Sequence, residues 1–309
     1  MRILFVYRGY GQNLSNSVID FQRDSLTKSG IDIETFVITE SKVKGYLSAI
    51  KKLKVFLRKN KIDIIHAHYS FSGFVSKLAS SKEKVICSLM GSDLLQQNII
   101  VKFVTRIFSN FLWDATIVKS DQMKALLPKA FLIPNGVDFS NFRVIPKMEA
   151  LKFTGYDSLK RNIIFVAQDP DSVVKNYKLA KKSVEFLNDR NVELHIVSNK
   201  SFEELPYYYN SADLILLTSL SEGSPNVIKE SMACNTPVVS VDVGDIRTII
   251  SDTDGCYIAS YDHMDIAEKI KLVLNRDKKT NGREKIRHLN SNYIANEIIS
   301  VYNKFVDPS

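Results

Sequence analysis

Short β-branched runs alternate with longer stretches of helical periodicity, and in this 309-residue chain the alternation happens twice. The first series is ILFVY (3–7), IDIETFVI (31–38), DIIHAH (63–68), KVICSLM (84–90), ATIVKS (115–120) and AFLIPN (130–135). After a polar stretch around 144–161 comes the second: NIIFVA (162–167), ELHIVS (193–198), DLILLT (213–218), PVVSVD (237–242) and CYIAS (256–260). Strands separated by helices join through crossovers, so each series predicts a parallel sheet covered by helices. The expected fold class is α/β, with two doubly wound Rossmann-like domains at 1–145 and 150–290 facing across a cleft. Residues 292–306 place Ile294, Ile298, Ile299, Tyr302 and Phe305 near helical spacing, which predicts a final helix with one buried face. Periodicity does not say where that helix packs; a return onto the first domain, over about 291–309, is the expectation.

Composition narrows the classes. With 45% hydrophobic and 25% charged residues, each half can bury its own core. Cys87, Cys234 and Cys256 are scattered and have no CxxC or Cys/His partners, so neither a disulfide framework nor a zinc site is expected, and a reducing cytosol fits. MRILFVYRG is too short an apolar run for a secretion signal, and no stretch of about 18 apolar residues occurs, so a cytoplasmic protein without a membrane span is expected. Charge is unevenly shared: residues 1–150 hold 22 Lys/Arg against 12 Asp/Glu, and residues 151–309 hold 20 against 22. Much of the excess lies in 42–61, where eight cations (Lys42, Lys44, Lys51, Lys52, Lys54, Arg58, Lys59, Lys61) occur with no acidic residue, among Tyr46, Leu47, Ile50, Leu53 and Phe56. This is a basic amphipathic helix: either a solvated lysine face, or a surface for anionic lipid or an anionic acceptor. No nucleic-acid motif accompanies it, so nucleic acid is not an expected partner.

Ligands of open α/β sheets bind beyond the carboxyl ends of the strands, so the loops after strands carry the chemistry. The segment TSLSEGSPNVIKE follows DLILLT and leads into a helix, with Glu222 and Glu230 eight positions apart. Ser224 before Pro225 reads as an N-cap, which leaves the N–H groups of Asn226, Val227 and their neighbours to attract an anionic or hydroxyl-rich ligand.

This EGSPNVIKE run resembles the E-x7-E motif of the retaining nucleotide-sugar glycosyltransferases of the group 1 class, known as family 4, which have the GT-B fold. The resemblance continues through HAHYSFSG (66–73), MGSDLL (90–95), LIPNGVDFSNF (132–142) and PVVSVDVGD (237–245), nearly the whole chain. The run from FVAQDPDSVVKNYK through ELPYYYNSADLILLTS to PVVSVDVGD looks like the teichuronic-acid-type cell-surface polysaccharide transferases.

The resemblance implies a retaining, metal-independent hexosyltransferase. It would take a UDP-sugar, or alternatively a GDP-sugar, as co-substrate without a further cofactor, and act on a hydroxyl of a glycan or lipid-linked glycan. Lys175 would neutralise the donor diphosphate, Glu230 would accept from ribose hydroxyls, and Glu222 with the backbone of Gly223, Ser224, Pro225, Asn226 and Val227 would hold the transferred sugar. Lys175 is otherwise one solvated lysine among Lys178, Lys181 and Lys182. Where many members carry an arginine, Val166–Asp169 offers no cation, so either Lys175 acts with less help or Arg8 or another cation of the first domain contributes. Gly9 and Gly11 follow the first strand, where glycine admits a phosphate or sugar close to the backbone, or simply makes a turn. His68 would bond a sugar hydroxyl or the transferring group, while His66 reads as structural. Asp93 would orient an acceptor hydroxyl or cap a helix, and Met90 stands where the family usually has histidine. Tyr69, Phe71 and Phe74 are core or acceptor-platform aromatics, and Asn135 with Gly136 is a turn. The resemblance to a metal-independent class implies that no metal is needed.

Three other readings stand beside this one. A dinucleotide-dependent oxidoreductase is suggested by Gly9, Gly11 and Glu34, but Leu14 occupies the third glycine position. A nucleotide-sugar epimerase shares the architecture but lacks the EGSPN run. A catalytically degenerate subunit that binds a glycan or a partner transferase is suggested by the missing arginine and by Met90.

Overall fold

The computed structural model describes residues 1–9, 17–39, 42–95 and 97–306, without the side chains of Ser17, Lys42, Val43 and Lys44. The chain divides into two compact units, Met1–Gly136 with Ser291–Ser309, and Val137–Asn290.

The first unit runs β1 (Arg2–Arg8), α1 (Ser17–Lys28), β2 (Asp32–Ile38), α2 (Lys42–Lys59), β3 (Ile64–His68), α3 (Ser70–Ala79), β4 (Lys84–Ser88), α4 (Ser92–Leu95), α5 (Ile99–Ile107), a π-helical turn (Phe108–Leu112), β5 (Ala115–Val118), α6 (Asp121–Leu126) and β6 (Phe131–Leu132). Its sheet has the order β2-β1-β3-β4-β5-β6, parallel throughout, with Val6 paired to Ala67 and Arg8 to Ile38. Strands buried on both faces need continuous apolar runs, which is why Ile3–Tyr7 of β1 shows no alternation; β3 is buried along its whole length as well, but carries His66 and His68 on one face. Leu4, Val6, Ile65, Ala67, Val85, Cys87 and Val118 face a core shared with Leu53 of α2, Val75 of α3 and Trp113. The opposite face carries Phe5, His66 and His68, and is reached by Tyr302 of the C-terminal helix, Ser291–Tyr302. That helix packs against α1 and is tied to it by Ser25 Oγ donating to the Ser291 carbonyl at 3.0 Å. It buries Ile294, Ala295, Ile298, Val301 and Tyr302; it stops short of Phe305, which is half-buried, as is Ile299.

The second unit runs α7 (Lys147–Thr154), β7 (Arg161–Val166), α8 (Tyr177–Phe186), β8 (Val192–Val197), α9 (Leu205–Ser211), β9 (Leu214–Leu217), α10 (Asn226–Ala233), β10 (Val238–Val241), α11 (Ile246–Ile250), β11 (Cys256–Ala259), α12 (His263–Arg276) and α13 (Gly282–Lys285). Its parallel sheet has the order β11-β10-β9-β7-β8. Residues 137–145 belong to this unit, so the division falls before position 145, where the sequence pattern placed it. The reason is local bonding. Ile145 N–H donates to Asn210 Oδ1 at 2.9 Å, and the Arg283 guanidinium donates to the carbonyls of Phe142 at 2.6 Å and Phe139 at 2.8 Å. The α/β fold class with two Rossmann-like halves holds.

Candidate active site

Each sheet reverses its winding once, between β1 and β3 in the first unit and between β7 and β9 in the second. At such a point adjacent strands send their connections to opposite faces and leave a crevice beyond their carboxyl ends. The predicted site residues that the structure describes lie at or beyond the carboxyl ends of the strands at these two places, with Asp93 one strand further along, after β4.

In the second unit three loops meet. Leu220 N–H donates to the Val174 carbonyl at 2.8 Å, and Thr218 Oγ1 donates to the Asn176 carbonyl at 3.0 Å, which pins the turn before α8 to the end of β9. Lys175 lies on that turn, and its Nζ donates to Glu222 Oε1 at 2.7 Å. Both side chains keep partial solvent access. The loop after β10 closes in from the other side. Gly244 has φ +63°, and a Cβ there would lie 2.8 Å from the Gly223 carbonyl oxygen and 3.0 Å from that of Glu222. Only glycine lets the two backbones approach this closely.

Ser224 is not the helix cap. Pro225 occupies that position, and the α10 N-terminus has no side-chain cap. The Ser224 hydroxyl is drawn away by a stronger partner: it donates to Asp245 Oδ2 at 2.5 Å and accepts from the Lys229 ammonium. Lys229 is fully buried and 3.8 Å from Asp245, and burial lowers its pKa even against the attraction of that carboxylate. The first N–H groups of α10 therefore remain available for an external acceptor. Asn226 Oδ1 is buried without a partner among the described residues. Glu230, one and a half turns into α10, accepts from Tyr209 Oη at 2.5 Å. Burial raises its carboxyl to about 7, opposed by the tyrosine bond and by Lys229.

In the first unit, Gly9 ends β1 with its N–H donating to the Ile38 carbonyl at 3.2 Å, while Gly11 lies outside the described residues. His66 is fully bonded: Nδ1 meets Tyr302 Oη at 2.5 Å and Nε2 meets Ser88 Oγ at 2.8 Å. Burial lowers its pKa to about 3, so it stays neutral and structural. His68 stacks on it, ring centroids 4.4 Å apart, equally buried, and neither of its ring nitrogens has a partner among the described residues. Burial, then the neighbouring His66 and Lys119, hold His68 well below the usual histidine range. Tyr69 follows with φ 71° and ψ 149°, a conformation that costs a non-glycine residue of order 1–3 kcal/mol and clusters at functional sites.

Asp93 is engaged by backbone. It accepts from the N–H groups of Ser70 at 3.1 Å, Met90 at 3.1 Å and Gly91 at 3.0 Å, tying the loops after β3 and β4 together. Burial raises its carboxyl to about 6 against these three bonds. Phe71 stacks on Tyr46 and Phe74 on Trp113, so these two aromatics belong to the helical core. Among the described residues, no group of three or more His, Cys, Asp or Glu side chains is placed to hold a metal ion. A cavity of about 110 Å³ lined by Lys147, Arg161, Asp213 and Lys279 lies at the opposite end of β7 and β9, away from the residues above.

Sequence reasoning missed Lys229, Asp245, Gly244 and Tyr209. The signal for two of them was present, since VGD follows the strand next to β9 in the sheet and so must border the same loop.

Two Rossmann-like halves of this topology have the GT-B fold. Residues 175–288 match the model for glycosyl transferases group 1, and residues 14–121 match that for glycosyl transferase 4-like domains. It is 28% identical over 260 residues to an uncharacterized glycosyltransferase of Methanocaldococcus jannaschii, covering 77% of this chain and 74% of that protein. Other matches, to D-inositol 3-phosphate glycosyltransferases, span from 66% down to 20% of those proteins. Among solved structures it resembles sucrose-phosphate synthase from Thermosynechococcus elongatus (TM-score 0.83, 16% identity, 98% and 99% of the two chains). It also resembles Anabaena HepE in complex with UDP-glucose (TM-score 0.80, 14% identity, 98% and 100%).

Proposed function

We propose that the protein transfers a hexosyl unit from a nucleotide-diphosphate sugar, a UDP-sugar before a GDP-sugar, to a hydroxyl of a glycan or lipid-linked glycan in cell-surface polysaccharide synthesis, with retention and without a metal. The observation that carries this is the Lys175–Glu222 ion pair beside the uncapped N-terminus of α10, with Glu230 on the same helix. A diphosphate gains negative charge as the glycosidic bond breaks, so a cation and oriented N–H groups fixed beforehand stabilise the transition state more than the ground state.

Lys175 exchanges its bond to Glu222 for the diphosphate, and Glu222 turns to the hydroxyls of the sugar. The backbone of Gly223–Val227 lines the sugar and diphosphate, and Glu230 accepts from the ribose. The first unit is the acceptor domain: Gly9 and Gly11 contribute to donor binding, Tyr69 to the acceptor, and His68 offers a neutral imidazole to a sugar hydroxyl or the transferring group. Since Asp93 is held by three N–H groups, its part is to hold the loop that bears Tyr69. The relative in complex with UDP-glucose supports the donor class. We place the protein in the cytoplasm, on the inner face of a membrane bearing anionic lipid, with α2 toward the lipid.

The test is a thermal-shift screen against UDP, GDP, ADP, TDP and NAD(P), followed by turnover of Lys175→Ala and Glu222→Ala. A ligand at about 100 times its Kd adds roughly 2.7 kcal/mol to native stability, so one nucleoside diphosphate is expected to stand out. Each alanine variant is expected to lose about 100-fold or more in kcat. A shift with NAD(P) alone, or turnover and donor binding unchanged in both variants, sinks the reading.

A further inference from the structure

Helix α5 is built inside out. Thr105 is fully buried, while Ile99 is 82% exposed, Phe103 63% and Ile107 37%; Phe111 of the adjoining π-helical turn is 78% exposed. These four residues recur at intervals of four, which places them along one side of the helix. Ile100 and Leu112 widen the stripe. Contiguous apolar surface of this kind marks an interaction site.

Charge identifies the partner. No acidic residue occurs between Asp93 and Asp114, whereas Lys102 and Arg106 flank the stripe. The neighbouring helices continue the pattern. Tyr46 of α2 stacks on Phe71 of α3, Phe71 meets Phe74, and Phe74 packs on Phe108, so α2, α3 and the π-helical turn form one layer on one face of the sheet. That layer exposes Leu47, Val55 and Leu78 together with Lys51, Lys52, Lys54 and Lys59. A second copy of the chain meeting this face about a two-fold axis would set these cations against their own kind. An anionic bilayer complements both the stripe and its rim. The helix is too short to span one, and its polarity suits the headgroup boundary.

We propose that the first unit docks on a bilayer bearing anionic headgroups, with Ile99, Phe103, Ile107 and Phe111 inserted below the headgroups and Lys102, Arg106 and α2 against the phosphates. This rests on the membrane-facing reading of the first unit, and makes the apolar stripe rather than the basic helix the inserting element. It does not depend on the donor assignment.

The test is co-sedimentation with phosphatidylcholine vesicles, with and without about 30 mol% phosphatidylglycerol, at low and high salt. Wild type is compared with Phe103→Ser/Phe111→Ser and with Lys51→Glu/Lys52→Glu/Lys54→Glu; both sets of positions are exposed, and thermal unfolding verifies that the variants fold. The serine pair is expected to weaken binding about tenfold or more at both salt levels. The charge-reversed variant is expected to lose only the salt-sensitive part. Vesicle binding unchanged in the serine pair but abolished by charge reversal overturns insertion and leaves the basic-helix reading standing, whereas a wild type that ignores anionic vesicles ends both. A wild-type dimer that the serine pair turns into a monomer, with lipid binding unaltered, assigns the stripe to a second copy instead.

Discussion

Two adjacent residues of α10, Lys229 and Glu230, shape its chemistry in opposite ways. Lys229 is a buried cation whose partners, Ser224 and Asp245, belong to the loops on either side of the proposed sugar site. Removing one member of a buried ion pair leaves the other uncompensated, which costs about 3–5 kcal/mol. Lys229→Met is therefore expected to destabilise the protein by about 3 kcal/mol, and Lys229→Met/Asp245→Asn to recover part of that loss; urea titration measures both. An equal loss in the single and double variants would mean that packing of the lysine stem, not its charge, matters there. Glu230 works the other way. Its carboxyl is raised from 4.5 to about 7, so the native state holds the proton more tightly than the unfolded chain. The stability this brings is complete below pH 4.5 and is lost as pH rises through about 7. Glu230→Gln mimics the protonated form, so it is expected to exceed wild type by about 2 kcal/mol at pH 8 and to converge with it in acid. A stability difference that does not vary with pH would contradict the assignment.

At the scale of elements, the second unit's site is a matter of how closely two loops approach. Gly244 combines a left-handed φ with backbone oxygens 2.8 and 3.0 Å from where a Cβ would stand. Gly244→Ala is expected to cost about 2 kcal/mol in unfolding and to weaken nucleoside-diphosphate binding about tenfold, because loop 222–226 must shift. Calorimetric titration measures the second effect, and unchanged affinity would free that loop from any role in binding. The strands were legible because burial on both faces demands unbroken apolar runs; every predicted run contains a strand, with ends displaced by a few residues. Glu222 and Glu230 stood out by their spacing and Lys175 only through the family resemblance; the loop contacts bring Lys175 and Glu222 within 2.7 Å. Ser224 was misread as a cap because local pattern cannot register a buried aspartate 21 residues away. Neither the outward apolar face of α5 nor the strain at Tyr69 has a local signature, since both depend on which side of the element the sheet happens to cover.

At the scale of the whole chain, the first unit is assembled from both ends of the sequence. The C-terminal helix brings Ile294, Ala295, Ile298, Val301 and Tyr302 to the sheet face opposite α2, and Tyr302 completes the bonding of His66, which stacks on His68. Chain removal after Asn290 would uncover that face and leave a buried imidazole nitrogen without its partner, while every element of the second unit stays intact. In differential scanning calorimetry the truncated protein is therefore expected to lose or lower the transition of the first unit and to keep that of the second, still shifted by nucleoside diphosphate. Tyr302→Phe isolates the hydrogen bond from the packing: one unsatisfied buried group costs about 1–3 kcal/mol, so it should lower the first transition without abolishing it. If truncation moved both transitions together, the two units would unfold as one, and the last helix would stabilise the whole molecule rather than the half it packs on. If Tyr302→Phe changed neither, the environment of His68 would be fixed by the strands alone, and the C-terminal helix would have no part in it.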